Sequence, residues 1–139
     1  MDGRAFLTVA REVVRGATEA HWRTAAGRAY YALVIELRDA MTRWGLSRPI
    51  PSHVHQIVRR RVYASSDADM KQIGRWLDRL RDSRNEADYE MGALVEFATD
   101  SGTNGSISRA SGALKLLDLI LADIPRRDSI AAEIQAVLP

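Results

Sequence analysis

The feature that most constrains this chain is the spacing of its apolar residues, which is helical almost throughout. From Trp22 a stripe runs through Ala25, Ala26, Ala29, Tyr30, Leu33, Val34, Leu37, Ala40, Met41 and Trp44, in steps of three and one that place all of them on one face of a long helix. No stretch alternates with period two, and no repeat occurs at solenoid spacing. The pattern predicts an all-α fold, an up-and-down bundle of four main helices with short flanking helices. A length of 139 residues makes this a single domain, 1–139.

Local signals divide the chain further. A short helix over about Arg4 to Arg15 carries Phe6, Val9, Val13 and Val14 and ends near Gly16, and Thr18 is an N-cap for the long helix that Gly45 stops. Pro49-Ile50-Pro51 is a rigid connection, with Ser52 capping a third helix that runs to about Ala64. Ser66 to Asp69 resembles a capping box at the start of a fourth helix reaching about Met91. The Gly- and Ser-rich segment from Asp100 to Ser106 reads as a flexible loop. Ile107, Ala110, Leu114, Leu117, Leu121 and Ile124 trace another amphipathic helix, which Pro125 ends before a terminal helix over Asp128 to Leu138.

Composition removes several kinds of chemistry. The chain has no Cys, which excludes disulfides, thiolate zinc sites, iron–sulfur clusters and a cysteine nucleophile. Its three histidines, His21, His53 and His55, are too few for a histidine cage, and His53-x-His55 without a third ligand is a weak metal signal, so no metal is expected. There is no Gly-rich phosphate loop, no Gly-x-Ser-x-Gly and no His-Glu-x-x-His, and nothing calls for a cofactor. The N-terminus lacks a secretory signal, and Ala113 to Ile124 is too short and too charged to span a bilayer, so a cytoplasmic protein without membrane contact is expected.

The 20 basic residues against 18 acidic ones give a net charge of only +2, but all except Lys71 and Lys115 are Arg. GC-rich coding is a sufficient cause of that bias. One Arg resists it. The inward stripe of the fourth helix, 70, 73, 77, 80, 84, 87 and 91, is apolar or small except at Arg84. A guanidinium on such a line needs a partner or a polar cleft: either Arg84 pairs with Asp88, four residues on, or it faces a groove where it can meet a phosphate. Arg81, Asn85 and Tyr89 share a face beside it and form either a ligand site or a hydrogen-bonded lock between helices. On the long helix, Thr24, Arg28, Tyr31 and Ile35 make a second line, which suits an inner helix or a self-association surface. Arg59-Arg60-Arg61 reads as a solvated face, or as part of a nucleic-acid patch only where other Arg residues join it in space. His53 and His55 occupy the first turn of the third helix, where the helix dipole favours a neutral imidazole.

Arg28-Ala29-Tyr30-Tyr31-Ala32 in the long helix, Gly45 closing it, His53 opening the next, and Leu80-Arg81-Asp82-Ser83-Arg84-Asn85-Glu86-Ala87-Asp88-Tyr89 together resemble the HEPN superfamily of small helical prokaryotic proteins. The likeness covers roughly 18–125 and is greatest to the branch with R-A-Y-Y-A and R-x-x-A-D-Y elements. It implies a homodimer in which polar motifs of two subunits meet in one basic groove that binds RNA or a nucleotide, within a toxin–antitoxin or defence system. A nucleotidyltransferase-type antitoxin is the partner this implies. Carried over by position, the catalytic element is Arg84, Asn85 and Tyr89, with Arg81, Arg84, Arg28, Asp88 and His53 as RNA- or nucleotide-binding residues. Tyr89 stands where the ribonucleases of the family have His, and a phenol with a pKa near 10 is a poor general base. Two alternatives are an active metal-independent endoribonuclease, with Tyr89 or His53 assisting proton transfer, and a non-catalytic protein-interaction adaptor.

Overall fold

A computed structural model of the protein describes residues 2–46 and 54–138. The described residues form six α-helices and one 3-10 turn: α1 (Gly3–Val13), α2 (Glu19–Arg43), α3 (Val54–Tyr63), α4 (Ala68–Tyr89), the 3-10 turn (Val95–Phe97), α5 (Ser101–Ala122) and α6 (Ile124–Val137). The all-helical bundle expected from the apolar spacing is the fold observed. The Pro49–Pro51 connection and the Ser52 cap lie outside the described residues.

α2 is the central element, packed by α1, α4 and α5 and more lightly by α3. Its alanines at 25, 26, 29, 32 and 40 are fully buried, and so are Leu33, Leu37 and Met41. Small side chains at these points let neighbouring helices approach from more than one side. Thr18 caps α2 by accepting from the His21 N–H, and Gly45, at φ +72°, turns the chain out of it in a conformation that L side chains rarely adopt. On α4, Met70, Ile73, Leu77, Leu80 and Ala87 face the core as their spacing predicts. Met91 does not: α4 ends at Tyr89, and Met91 is 81% exposed.

The segment around 100–106 departs from its reading as a loop. Ser101 already starts α5, and Thr103 and Ser106 are fully buried. The Thr103 hydroxyl donates to the Trp22 carbonyl at 3.0 Å. A Cβ on Gly102 would stand 2.5 Å from the Glu96 carbonyl oxygen. The small residues there serve close packing against the 3-10 turn and α2, not flexibility. Pro125 likewise belongs to the first turn of α6, where its missing N–H costs no hydrogen bond.

Asp67, not Ser66, caps α4, accepting from the Asp69 and Met70 N–H groups at 2.9 and 3.1 Å. The same carboxylate receives Arg126 of α6 at 2.7 and 2.8 Å, and Arg126 also reaches Asp69 at 2.7 Å. Glu133 accepts from the Ser66 N–H at 3.1 Å, and Ile130 and Ile134 bury the apolar side of α6. α6 is thus fastened to the start of α4 by ion pairs over a small apolar contact. Asp67→Ala should destabilise the fold by about 1–2 kcal/mol through the lost cap, read as a lower urea midpoint. Arg126 holds the Asp67 carboxyl below its usual range, so this contribution is complete above the ordinary carboxylate pKa and is lost as pH falls through the lower folded value. The difference between wild type and Asp67→Ala should therefore shrink as the Asp67 carboxyl is protonated.

Candidate functional site

Arg84 lies on the face of α4 that meets α2. Its side chain is 23% exposed, and its guanidinium is held largely by neutral groups. Nη2 donates to the Tyr31 hydroxyl at 2.8 Å and Nη1 to the Asn85 Oδ1 at 3.2 Å. The Asp88 carboxylate lies 3.0 Å from Nε, but off the direction of the N–H bond, so Nε has no hydrogen-bond partner. The guanidinium carbon also sits 5.4–5.9 Å from the ring centres of Tyr30, Tyr31 and Tyr89, at the outer reach of cation–π attraction. Of the two readings of the sequence, the geometry shows the pairing with Asp88. The cation remains partly open to a further anion.

Arg23 sets the position of the α4 end that carries this cluster. Its side chain donates to the carbonyl oxygens of Glu86, Ala87 and Glu90 through Nη1 and to that of Gly92 through Nη2, while Nε bonds Glu19 at 2.9 Å. The last turn of α4 has no basic residue of its own, so a cation from α2 satisfies its terminal carbonyls and its dipole. The Arg23 guanidinium covers the buried Phe97 ring at 4.9 Å, tying the 3-10 turn to the same point. Sequence reasoning missed Arg23. The Glu19 to Arg23 spacing shows a helical ion pair, and nothing local shows that α4 ends above it.

The second part of the site is a groove of about 790 Å³ between α3 and α4, whose wall includes His55, Arg59, Arg60 and Arg81. Arg59 bonds Asp78 at 2.8 Å, and the Tyr63 hydroxyl donates to the other oxygen of that carboxylate at 3.0 Å. Arg60 and Arg81 are exposed and ion-pair with no carboxylate among the described residues. At the inner side of the groove Tyr30 and His55 share a hydrogen bond of 2.8 Å between the phenol oxygen and Nδ1. Burial pushes the Tyr30 phenol up to about 12 and is also the main cause that lowers His55 to about 4, with the Arg81 charge assisting. Both groups are therefore neutral at physiological pH.

The structure brings Tyr31, Asn85, Asp88 and Tyr89 into one cluster around Arg84, and puts Arg81 one turn away on the groove wall. Tyr89 is 69% exposed and touches Arg84 only through its ring. Arg28 is exposed and covers the Phe6 ring at 5.6 Å, and Phe6 in turn stands 6.4 Å from Tyr31. Arg28 thus borders the cluster without bonding to it. His53 lies outside the described residues. Arg61 is buried at 4% exposure, so the Arg59–Arg61 run is not uniformly a solvated face. Tyr30, Tyr31 and His55 make hydrogen bonds between helices that pattern alone does not reveal, since aromatic residues on a core stripe ordinarily serve packing.

Among the described residues no three or more His, Asp or Glu groups are gathered to hold a metal ion, and no helix is long and apolar enough to cross a membrane. Comparison with known protein families, curated proteins and solved structures gives no match. His55 should titrate in the folded protein near 4, followed by its ring carbon-bound protons in NMR. Because the unfolded imidazole binds its proton near the ordinary value of ~6.5, His55 should make folding less favourable as pH falls from that value toward 4. A His55 resonance that titrates near its ordinary value would show the ring to be solvated.

Proposed function

We propose that this chain is a HEPN-like helical module that dimerises and binds RNA or a nucleotide through a basic groove, as part of a toxin–antitoxin or defence system. The observation that carries the reading is the Arg84 guanidinium, fixed by the neutral Tyr31 and Asn85 and balanced only by one off-axis, partly exposed carboxylate. A planar fork held in place in this way suits a phosphate, which accepts two parallel N–H bonds. Arg60 and Arg81 add charge along the neighbouring groove and would steer a polyanion to it. The resemblance of the two motifs supplies the dimer and the cellular setting, including a nucleotidyltransferase-type partner. Tyr89 in place of His favours binding over cleavage, because its phenol offers a hydrogen bond but no base at neutral pH.

The test is the affinity of purified protein for labelled single-stranded RNA and for nucleotides as a function of salt. Arg84→Ala should weaken binding of the preferred ligand by about tenfold or more, and for RNA it should lower the salt slope by about one. Unchanged affinity in a folded Arg84→Ala protein would overturn the reading. Cleavage of the RNA in EDTA, abolished by Arg84→Ala, would replace it with an endoribonuclease. A shift of the dimer equilibrium in Asn85→Ala, with no ligand bound by wild type, would replace it with an adaptor.

A further inference from the structure

The hydrogen bond between Tyr30 and His55 lies beside the Arg84 cluster, which touches Tyr30 only through its ring. Tyr30 is buried at 5% exposure and stays protonated at neutral pH, and its hydroxyl has His55 Nδ1, at 2.8 Å, as its hydrogen-bond partner among the described residues. A neutral imidazole has one N–H and one lone pair. The arrangement in which the phenol donates to Nδ1 gives the Tyr30 proton a partner and leaves the ring proton on Nε2, whereas the reverse tautomer leaves the phenol proton without one among the described residues. Nε2 is shielded from solvent and has no hydrogen-bond partner among the described residues. A buried donor left unmet costs about 1–3 kcal/mol, and folded proteins keep few of them.

The surroundings show what would satisfy it. The Asp78 carboxylate on the groove wall is occupied by Arg59 and Tyr63. Arg60 and Arg81, also on that wall, pair with no carboxylate among the described residues. Asp82 is the one acidic lining residue outside the Arg59–Asp78 pair. A neutral donor near two cations suits an anion with several oxygens, so that one oxygen meets the imidazole while others face the guanidinium groups.

We propose that the His55 imidazole on the groove wall donates its Nε2–H to a phosphate oxygen of a ligand seated between α3 and α4, the side chains that shield Nε2 parting to admit it, with Arg60 and Arg81 balancing the phosphate charge. Tyr30 is the positioning residue that fixes the tautomer. This rests on the RNA or nucleotide reading above and assigns a phosphate contact separate from Arg84. The shared chemistry is a phosphate group, either a phosphodiester of RNA or the terminal phosphate of a nucleotide.

The full chain, with its histidines labelled with nitrogen-15, tests this by NMR together with binding measurements. One arm uses an RNA oligonucleotide with hydroxyl groups at both ends, and the other uses adenosine 5′-monophosphate. In the free protein Nε2 should carry the proton, and whichever ligand binds should shift that nitrogen and slow exchange of its hydrogen. A response to RNA alone assigns a phosphodiester, and a response to the nucleotide alone assigns a terminal phosphate. His55→Ala should weaken binding by about ten- to hundredfold, His55→Gln should recover part of it through its amide donor, and Asp82→Asn should tighten it. Tyr30→Phe should lose the single tautomer and weaken binding.

A free protein with the proton on Nδ1, or binding of both ligands unaffected by His55→Ala, would overturn the assignment. If His55→Ala does not fold, the wild-type Nε2 response decides. Binding that needs Arg84 but not His55 removes this inference alone, while dependence on His55 but not Arg84 removes the Arg84 reading and leaves this one standing. Failure of wild type to bind either ligand overturns both.

Discussion

The structure depends on the burial of α2 between layers. A helix of 25 residues contacted by α1, α4 and α5 buries more than one side, and its fully buried alanines are what make that possible. Larger side chains at those positions would force the neighbouring helices apart, since interiors are packed too densely to absorb added methylenes without strain. Polar groups on such a helix need partners across its interfaces. Glu36 receives the Gly3 N–H, Arg23 receives the end of α4, and Tyr30 and Tyr31 reach His55 and Arg84.

The arginines of this chain differ in how completely their charge is balanced, and that difference separates structure from site. Arg126 meets two carboxylates through short bonds, and Arg59 meets one in direct line. These ion pairs hold helices together, with little charge to offer a ligand. Arg84 has its directed bonds to a phenol and an amide, and its nearest carboxylate is badly aligned and 45% exposed. Partial burial makes any field at Arg84 stronger than at a solvated surface, because the effective dielectric there is lower. An Arg-rich composition therefore says little, whereas the identity of each partner says a good deal.

Much of the fold was legible because burial on a helix leaves a period in the sequence. The α2 stripe and the inner line of α4 are read directly from spacing, and Arg84 stands out because it interrupts one of them. What remained hidden depends on contacts across helices. Gly102, Thr103 and Ser106 carry the composition of a loop, yet their smallness lets α5 begin close to Glu96 and Trp22. Arg23 has an ordinary local partner in Glu19, and its larger task appears only when the end of α4 is placed above it. Arg61 is buried although its two neighbours in the run are exposed, since a helix of 10 residues must still turn one side inward. His55 was similarly indistinct from His53 until the Tyr30 hydroxyl was found beside it.

Tyr30 and Tyr31 give the site its internal geometry. Successive residues on a helix point about 100° apart, so adjacent phenols on α2 face different neighbours: Tyr31 bonds Arg84, and Tyr30 bonds His55. Their rings meet edge to face at 5.2 Å, and Arg84 lies near both. The spacing between a cation and a neutral imidazole is thereby set by two adjacent residues of a helix rather than by a loop. A buried helix loses little additional freedom when a ligand arrives, so less of the binding energy goes to ordering the protein. The tyrosines that look like packing residues in the sequence are thus the elements that would let two separate donors act at a fixed distance.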